Sequence, residues 1–128
     1  VTYILDTNVA IHLRDGDPLV TSKIAELDGA ILLSIITRVE LEGGVYREPS
    51  EAGLRRARLD VMLEALPVLA FDAEAADACR AILETAGYSR RKILDRMIAA
   101  QALVHRATLI TRNAADFRDV PGLSLLEW

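Results

Sequence analysis

Tyr3-Ile4-Leu5 is an unbroken apolar run that stops abruptly at Asp6-Thr7-Asn8. A run with no polar alternation reads as a strand buried on both faces, and such strands occur inside parallel sheets covered by helices. The rest of the chain repeats the theme. Ala30–Leu33, Val68–Phe71, Ala107–Thr111 and Leu123–Leu126 are further short strand candidates. Between them lie segments with helical spacing at Asn8–Arg14, Leu19–Leu27, Glu51–Leu66, Asp72–Thr85 and Ile93–Arg106. Thr37-Arg38-Val39-Glu40 reads as a capping box opening one more helix, which Gly43-Gly44 weakens soon after its start. Leu54, Val61, Met62 and Leu66 are the expected core contacts of the Glu51–Leu66 helix. Strands alternating with helices predict an α/β fold with a parallel or mostly parallel sheet.

Composition narrows the class. The 128 residues suit a single domain, 1–128, with a real hydrophobic core. With 52% hydrophobic and 27% charged residues, the chain is not a disordered one. Its apolar runs fall well short of the roughly 20 residues a membrane helix needs, so no membrane association is expected. No charged segment followed by an apolar one opens the sequence, so no secretory signal is expected. The single Cys79 excludes an internal disulfide and fits a reducing cytoplasm. It sits in an apolar helical setting and reads as a packing residue. A net charge of −4 argues against a general nucleic-acid coat but leaves local basic patches open.

Four acids occupy telling places. Asp6 follows the first strand, Glu40 is expected in the first turn of the helix after the second, and Asp116 follows the fourth by a few residues. A parallel sheet gathers such positions on the rim at the carboxyl ends of its strands. Asp95 opens the helix before the fourth strand, and its neighbours Ile98, Ala99 and Ala102 form a core-facing stripe. A lone carboxylate beside such a stripe is costly unless it is paired or binds a metal. Each acid has an ordinary explanation: a helix cap for Asp6, the capping box for Glu40, the helix dipole for Asp95, a turn for Asp116. Together, four acids on one rim repel one another unless a cation neutralises them. No His/Cys cluster accompanies them, which argues against zinc, and oxygen-only ligands suit Mg²⁺ or Mn²⁺. Carboxylates with a divalent ion are a known way to hydrolyse phosphodiesters. Thr7, Asn8, Ser34, Thr111 and Asn113 are short hydrogen-bonding residues at the same strand ends, suited either to orient the carboxylates or to ordinary turns. His12 and His105 have no partner at a recognisable spacing.

LDTN at Leu5–Asn8, SIITRVEL at Ser34–Leu41, LDRMIAAQAL at Leu94–Leu103 and TRNAADF at Thr111–Phe117 resemble the PIN-domain nucleases, and within them the VapC toxins of bacterial toxin–antitoxin pairs. The resemblance runs from Tyr3 to the C-terminus. It implies a three-layer α/β/α domain with a central, mostly parallel sheet, and a Mg²⁺- or Mn²⁺-dependent endoribonuclease. It implies an acidic pocket of Asp6, Glu40, Asp95 and Asp116, with Asp6 and Asp95 as principal metal ligands and Glu40 ligating or positioning the attacking water. It also implies a homodimer, a VapB-type antitoxin as partner, and operator DNA bound only through that antitoxin. Some relatives carry a further acid on the helix of Asp95, where this chain has Arg96, Met97, Ile98 and Ala99, so a single ion is expected.

An acidic pocket repels RNA, so cations must surround it. Arg90, Arg91, Lys92, Arg96 and Arg112 are the candidate contacts to the RNA backbone. Arg55, Arg56 and Arg58 form a second basic group, which reads as a solvated helix face. Two other classes compete with the nuclease. One is a regulatory module that acts through antitoxin and operator binding with little turnover, against which the intact set of four acids argues. The other is an aspartyl phosphatase, which usually needs Asp-x-Asp where this chain has Asp6-Thr7-Asn8.

Overall fold

The computed structural model describes residues 1–128. Five strands, β1 (Thr2–Leu5), β2 (Ala30–Ser34), β3 (Val68–Leu69), β4 (Thr108–Thr111) and β5 (Ser124–Glu127), form one sheet in the order β3-β2-β1-β4-β5. Every pairing is parallel, with Ile4 opposite Leu32 on one side and Leu109 on the other. The helices are α1 (Thr7–Arg14), α2 (Pro18–Ala25), α3 (Ile35–Arg47), α4 (Ala52–Ala65), α5 (Ala73–Ala86) and α6 (Ile93–Val104). Short 3-10 turns at Pro49–Glu51 and Ala114–Phe117 complete the chain.

The two-residue periodicity of the strands divides the core. Ile4 and Leu109 face a cluster that includes Cys79, Ile82, Ile98, Ala99 and Phe117, under α5 and α6. Leu5, Leu33 and Ile110 face the opposite way, against Val9, Val20, Leu41, Val45, Leu59 and Met62 from α1 to α4. The layers are therefore helices, sheet, helices. No helix is long and apolar enough to cross a membrane.

Caps differ from expectation in one informative place. Ser34, not Thr37, caps α3, its hydroxyl accepting from the Ile36 N–H at 3.0 Å. Thr37 and Glu40 therefore lie inside the helix, and the expected capping box does not form. The Gly43-Gly44 pair does not end α3, which continues to Arg47. β3 is shorter than expected, because Ala70 and Phe71 leave the ladder. Leu54 and Val61 face solvent at 50% and 67% exposure, and Leu59 and Met62 take the core positions of α4. Asp72 caps α5 as expected, and Gly87 ends it at φ 82°, a left-handed conformation suited to glycine.

The strand order decides where a site can form. The chain steps outward from β1 to β2 and β3, then returns to the other side of β1 as β4. The crevice at the carboxyl ends of β1 and β4 lies at this reversal, the place where α/β sheets receive ligands.

Candidate active site

Asp6 is the first residue beyond β1. Its N–H still donates to the Ile110 carbonyl at 2.9 Å, extending the β1–β4 ladder one step. Its side chain then starts α1: Oδ1 accepts from the Thr7 N–H at 2.8 Å, and Oδ2 accepts from the Thr111 hydroxyl at 2.9 Å. Asp6 is thus a helix cap and a member of the crevice at once, and it is only 7% exposed. Burial pushes its carboxyl above the ordinary range. The Thr111 and Thr7 hydrogen bonds pull it back, and the charge of Asp116 adds to the rise.

The Thr7 hydroxyl sits 2.8 Å from Glu40 Oε1 and 2.9 Å from the Thr37 hydroxyl. It ties the start of α1 to α3 and fixes one end of the Glu40 carboxylate. Asp95 lies half-buried in the first turn of α6. Burial is the largest cause pushing its carboxyl up to about 6, followed by the charges of Asp6, Asp116 and Glu40, with Arg91 opposing them. All three other acids act on Asp95, which makes the four one electrostatic cluster. Asp116, in the turn after β4, accepts from Asn113 Nδ2 at 2.6 Å and stands 3.6 Å from Arg91 Nη1.

The donor set is hard oxygen throughout, from carboxylates and hydroxyls, with no imidazole or thiolate among them. Such a set suits a divalent cation, which would relieve the repulsion that adds to the rise at Asp95. As the side chains stand, no three of the acids meet closely enough to grip an ion among them. Thr7, Thr111 and Asn113 hold Glu40, Asp6 and Asp116 in place.

Two of the expected supporting residues make no hydrogen bond to the four acids. Ser34 is fully buried, and its hydroxyl donates to Gln101 Oε1 rather than facing the crevice. Asn8 is exposed on α1 without a side-chain hydrogen bond. Gln101 is fully buried, with Nε2 3.1 Å from the carbonyls of both Leu69 and Ala70, and it secures the end of β3. Its signal in the sequence is an amide inside the most apolar helix. The buried hydroxyl of Thr37 was hidden by the capping-box reading.

The basic residues also divide. Arg91 reaches the cluster, and Arg90 and Arg112 are exposed near it in sequence. Arg96 is no backbone contact in this geometry. It is 3% exposed, and its guanidinium lies 3.1 Å from Asp119 Oδ2. Lys92, one turn earlier, points to the same Asp119 carboxylate at 3.7 Å. Residues four apart share a helix face, and this face turns toward the Asp119 loop. Asp119 is held below the ordinary carboxylate range by its hydrogen bonds from Arg96 first, then by the charges of Arg96 and Lys92.

Comparison with known proteins places this geometry. The family model described as the PIN domain matches residues 3–123. The chain is 30% identical to the Ribonuclease VapC2 of Rickettsia felis, over 98% of this chain and 97% of that protein. It is 28% identical to the tRNA(fMet)-specific endonuclease VapC of Shigella flexneri, again over 98% and 97%. Among solved structures, VapBC2 from Rickettsia felis bound to a DNA fragment from their promoter superposes with a TM-score of 0.86 at 26% identity, covering 100% of this chain and 99% of that one.

Proposed function

The chain belongs to the PIN-domain family, and we propose on that premise that its acidic crevice is the centre of a metal-dependent endoribonuclease, the toxin of a VapBC-type toxin–antitoxin pair. One observation carries the reading. Four carboxylates from four separate segments converge at the sheet's switch point, where burial first, and then the charges of Asp6, Asp116 and Glu40, raise Asp95 to about 6. A fold that only needed stability gains nothing from such a cluster, whereas a site that takes up a cation does.

Asp6 and Asp95 would hold a single Mg²⁺ or Mn²⁺. When bound, such an ion supplies charge neutralisation and Lewis acidity at the phosphodiester. The side chains supply the rest. Thr111 and the Thr7 N–H each hold one oxygen of the Asp6 carboxylate, so it is aimed before substrate arrives. Glu40, fixed through Oε1 by Thr7, has its other oxygen free to orient an attacking water and take its proton. Attack at phosphorus breaks the bond to the 3′ oxygen, leaving a 3′-hydroxyl and a 5′-phosphate. Asp116, steadied by Asn113 and Arg91, closes the pocket on the β4 side. Arg90, Arg91 and Arg112 would meet the RNA backbone.

The VapBC2 complex from Rickettsia felis, bound to a DNA fragment from their promoter, supports a VapB-type antitoxin as partner; the proposal further takes operator DNA to be bound through that antitoxin and a homodimer to be the working unit. An apolar cavity of about 570 Å³ between α1, α2 and α4, walled by Ile24, Val61, Met62 and Leu66, offers the antitoxin an anchor.

The test is cleavage of total RNA by the purified chain with Mn²⁺ or Mg²⁺, with EDTA, and in Asp6→Asn and Asp95→Asn variants. Discrete cuts that need metal and vanish in both variants are expected. Equal cutting by wild type and variants, or none by metal-loaded wild type free of antitoxin, removes the proposal.

A further inference from the structure

Beside the acidic cluster lies a second polar cavity of about 510 Å³, between α1, α3 and α4. Thr7 and Glu40, hydrogen-bonded to each other, line it and join it to the cluster. Away from Glu40, the charged lining is Asp15 and three arginines, Arg14, Arg47 and Arg55. Their charges are not equivalent. Arg14 is 6% exposed and spends its charge on Asp15, 3.0 Å away. Arg47 is exposed and has no carboxylate within 4.0 Å. Arg55 also lacks a carboxylate, and its one hydrogen bond, 2.8 Å to the Gly44 carbonyl, braces the guanidinium against α3. Its neighbours on α4 differ: Arg56 is paired with Glu42 and Asp60, and Arg58 donates to the Asp15 carbonyl. The basic group that reads in sequence as one solvated face is therefore split, and Arg55 alone of the three turns into the cavity.

The floor is glycine. Gly43 and Gly44 sit inside α3, where glycine weakens a helix. A Cβ at Gly44 would come within 3.3 Å of the Arg14 guanidinium, so packing explains that residue. A Cβ at Gly43 would meet nothing within 4 Å, so its bareness serves no internal contact and leaves the cavity floor open to a chain passing over the helix.

We propose that this cavity binds a backbone phosphate of the single-stranded RNA flanking the scissile bond, held by Arg47 and Arg55. The inference rests on the nuclease reading and adds a direction to it. The strand runs from the acidic cluster over Gly43 toward α4, not only along the start of α6. Two unpaired guanidiniums beside a cluster of four carboxylates give the substrate a positive foothold that the net charge of −4 otherwise denies it. Guanidinium forks suit phosphate oxygens and carry no base preference, so the residues position the strand without reading it.

The test is binding of a fluorescein-labelled oligouridine in EDTA, followed by anisotropy across a salt series, beside cleavage assays of total RNA with Mn²⁺. Arg47→Gln and Arg55→Gln should each weaken binding about fivefold and lower the log–log salt slope by about 0.7, with Arg55→Lys recovering part of the loss. Arg80→Gln, which removes an arginine paired with Glu84 on α5, should leave binding unchanged. Arg47 has no partner, so Arg47→Gln should melt with the wild type. Wild-type affinity in both variants, while wild type binds and cuts RNA, overturns the phosphate site and leaves the nuclease reading standing. Normal RNA binding with lost antitoxin affinity overturns it in favour of a protein partner. Failure of wild type both to bind and to cut removes the two readings together.

Discussion

Asp95→Asn should make the metal-free protein more stable, against the usual expectation for a half-buried polar residue. Folded Asp95 keeps its proton to about pH 6, whereas the unfolded chain releases it near the ordinary value of 3.8. Between these values folding takes up a proton, so stability falls as pH rises through the window and is lowest above it. The difference of about two pH units, at roughly 1.4 kcal/mol each, sets an upper bound near 3 kcal/mol. Partial exposure screens that figure, and the helix-dipole benefit of an acid in the first turn of α6 is lost in the variant, leaving about 1–2 kcal/mol. With an unfolding entropy of about 2 cal/mol/K per residue, that is a rise in Tm of about 4–7 °C. The assay is thermal unfolding by circular dichroism in EDTA from pH 4 to pH 8. The variant should lead at pH 8, and the gap should narrow toward pH 4, where folded Asp95 is protonated and the unfolded group is already partly so. Saturating Mn²⁺ should then reverse the order, since an ion at a hundred times its Kd adds about 2.7 kcal/mol to the protein that binds it. A variant less stable than wild type at pH 8 in EDTA, or a gap that ignores pH, would falsify the account of the cluster.

Thr111→Val removes the hydroxyl that donates to Asp6 Oδ2 inside the crevice. It should cost about 1–3 kcal/mol in urea unfolding and weaken Mn²⁺ affinity in calorimetry, and unchanged metal affinity would show that Asp6 needs no support. Gln101→Leu strands the Ser34 hydroxyl and two carbonyls, at a cost of about 2–4 kcal/mol, while activity per folded molecule should hold. A selective loss of activity at full stability would place Ser34 back in the site. Arg96→Met should cost about 1–2 kcal/mol, less than a fully buried pair, because Asp119 retains 40% exposure. RNA affinity should not change, and a loss of binding without unfolding would contradict the buried placement of Arg96.

Local pattern carried the elements and the acids. Unbroken apolar runs such as Tyr3-Ile4-Leu5, short and closed by turn-forming residues, read as strands covered on both faces. The alternation with helices then requires parallel pairing, and parallel pairing brings strand ends to one rim. Asp6 and Asp116 follow from that argument, and the apolar stripe behind Asp95 marks it as an acid in an unfavourable place. Hydrogen-bond partners distant in sequence were not legible. Whether Ser34 faces the crevice or Gln101 depends on a contact 67 residues away, and the Thr7–Glu40 tie spans 33. The arginines show the limit most clearly. Arg55, Arg56 and Arg58 look alike in sequence, as do Arg91, Lys92 and Arg96. Each long side chain goes to the carboxylate or carbonyl that packing brings within reach, so only the tertiary structure decided which are spent on ion pairs and which remain free. Backbone periodicity is a local property written in the sequence, whereas charge pairing is settled by which helices meet.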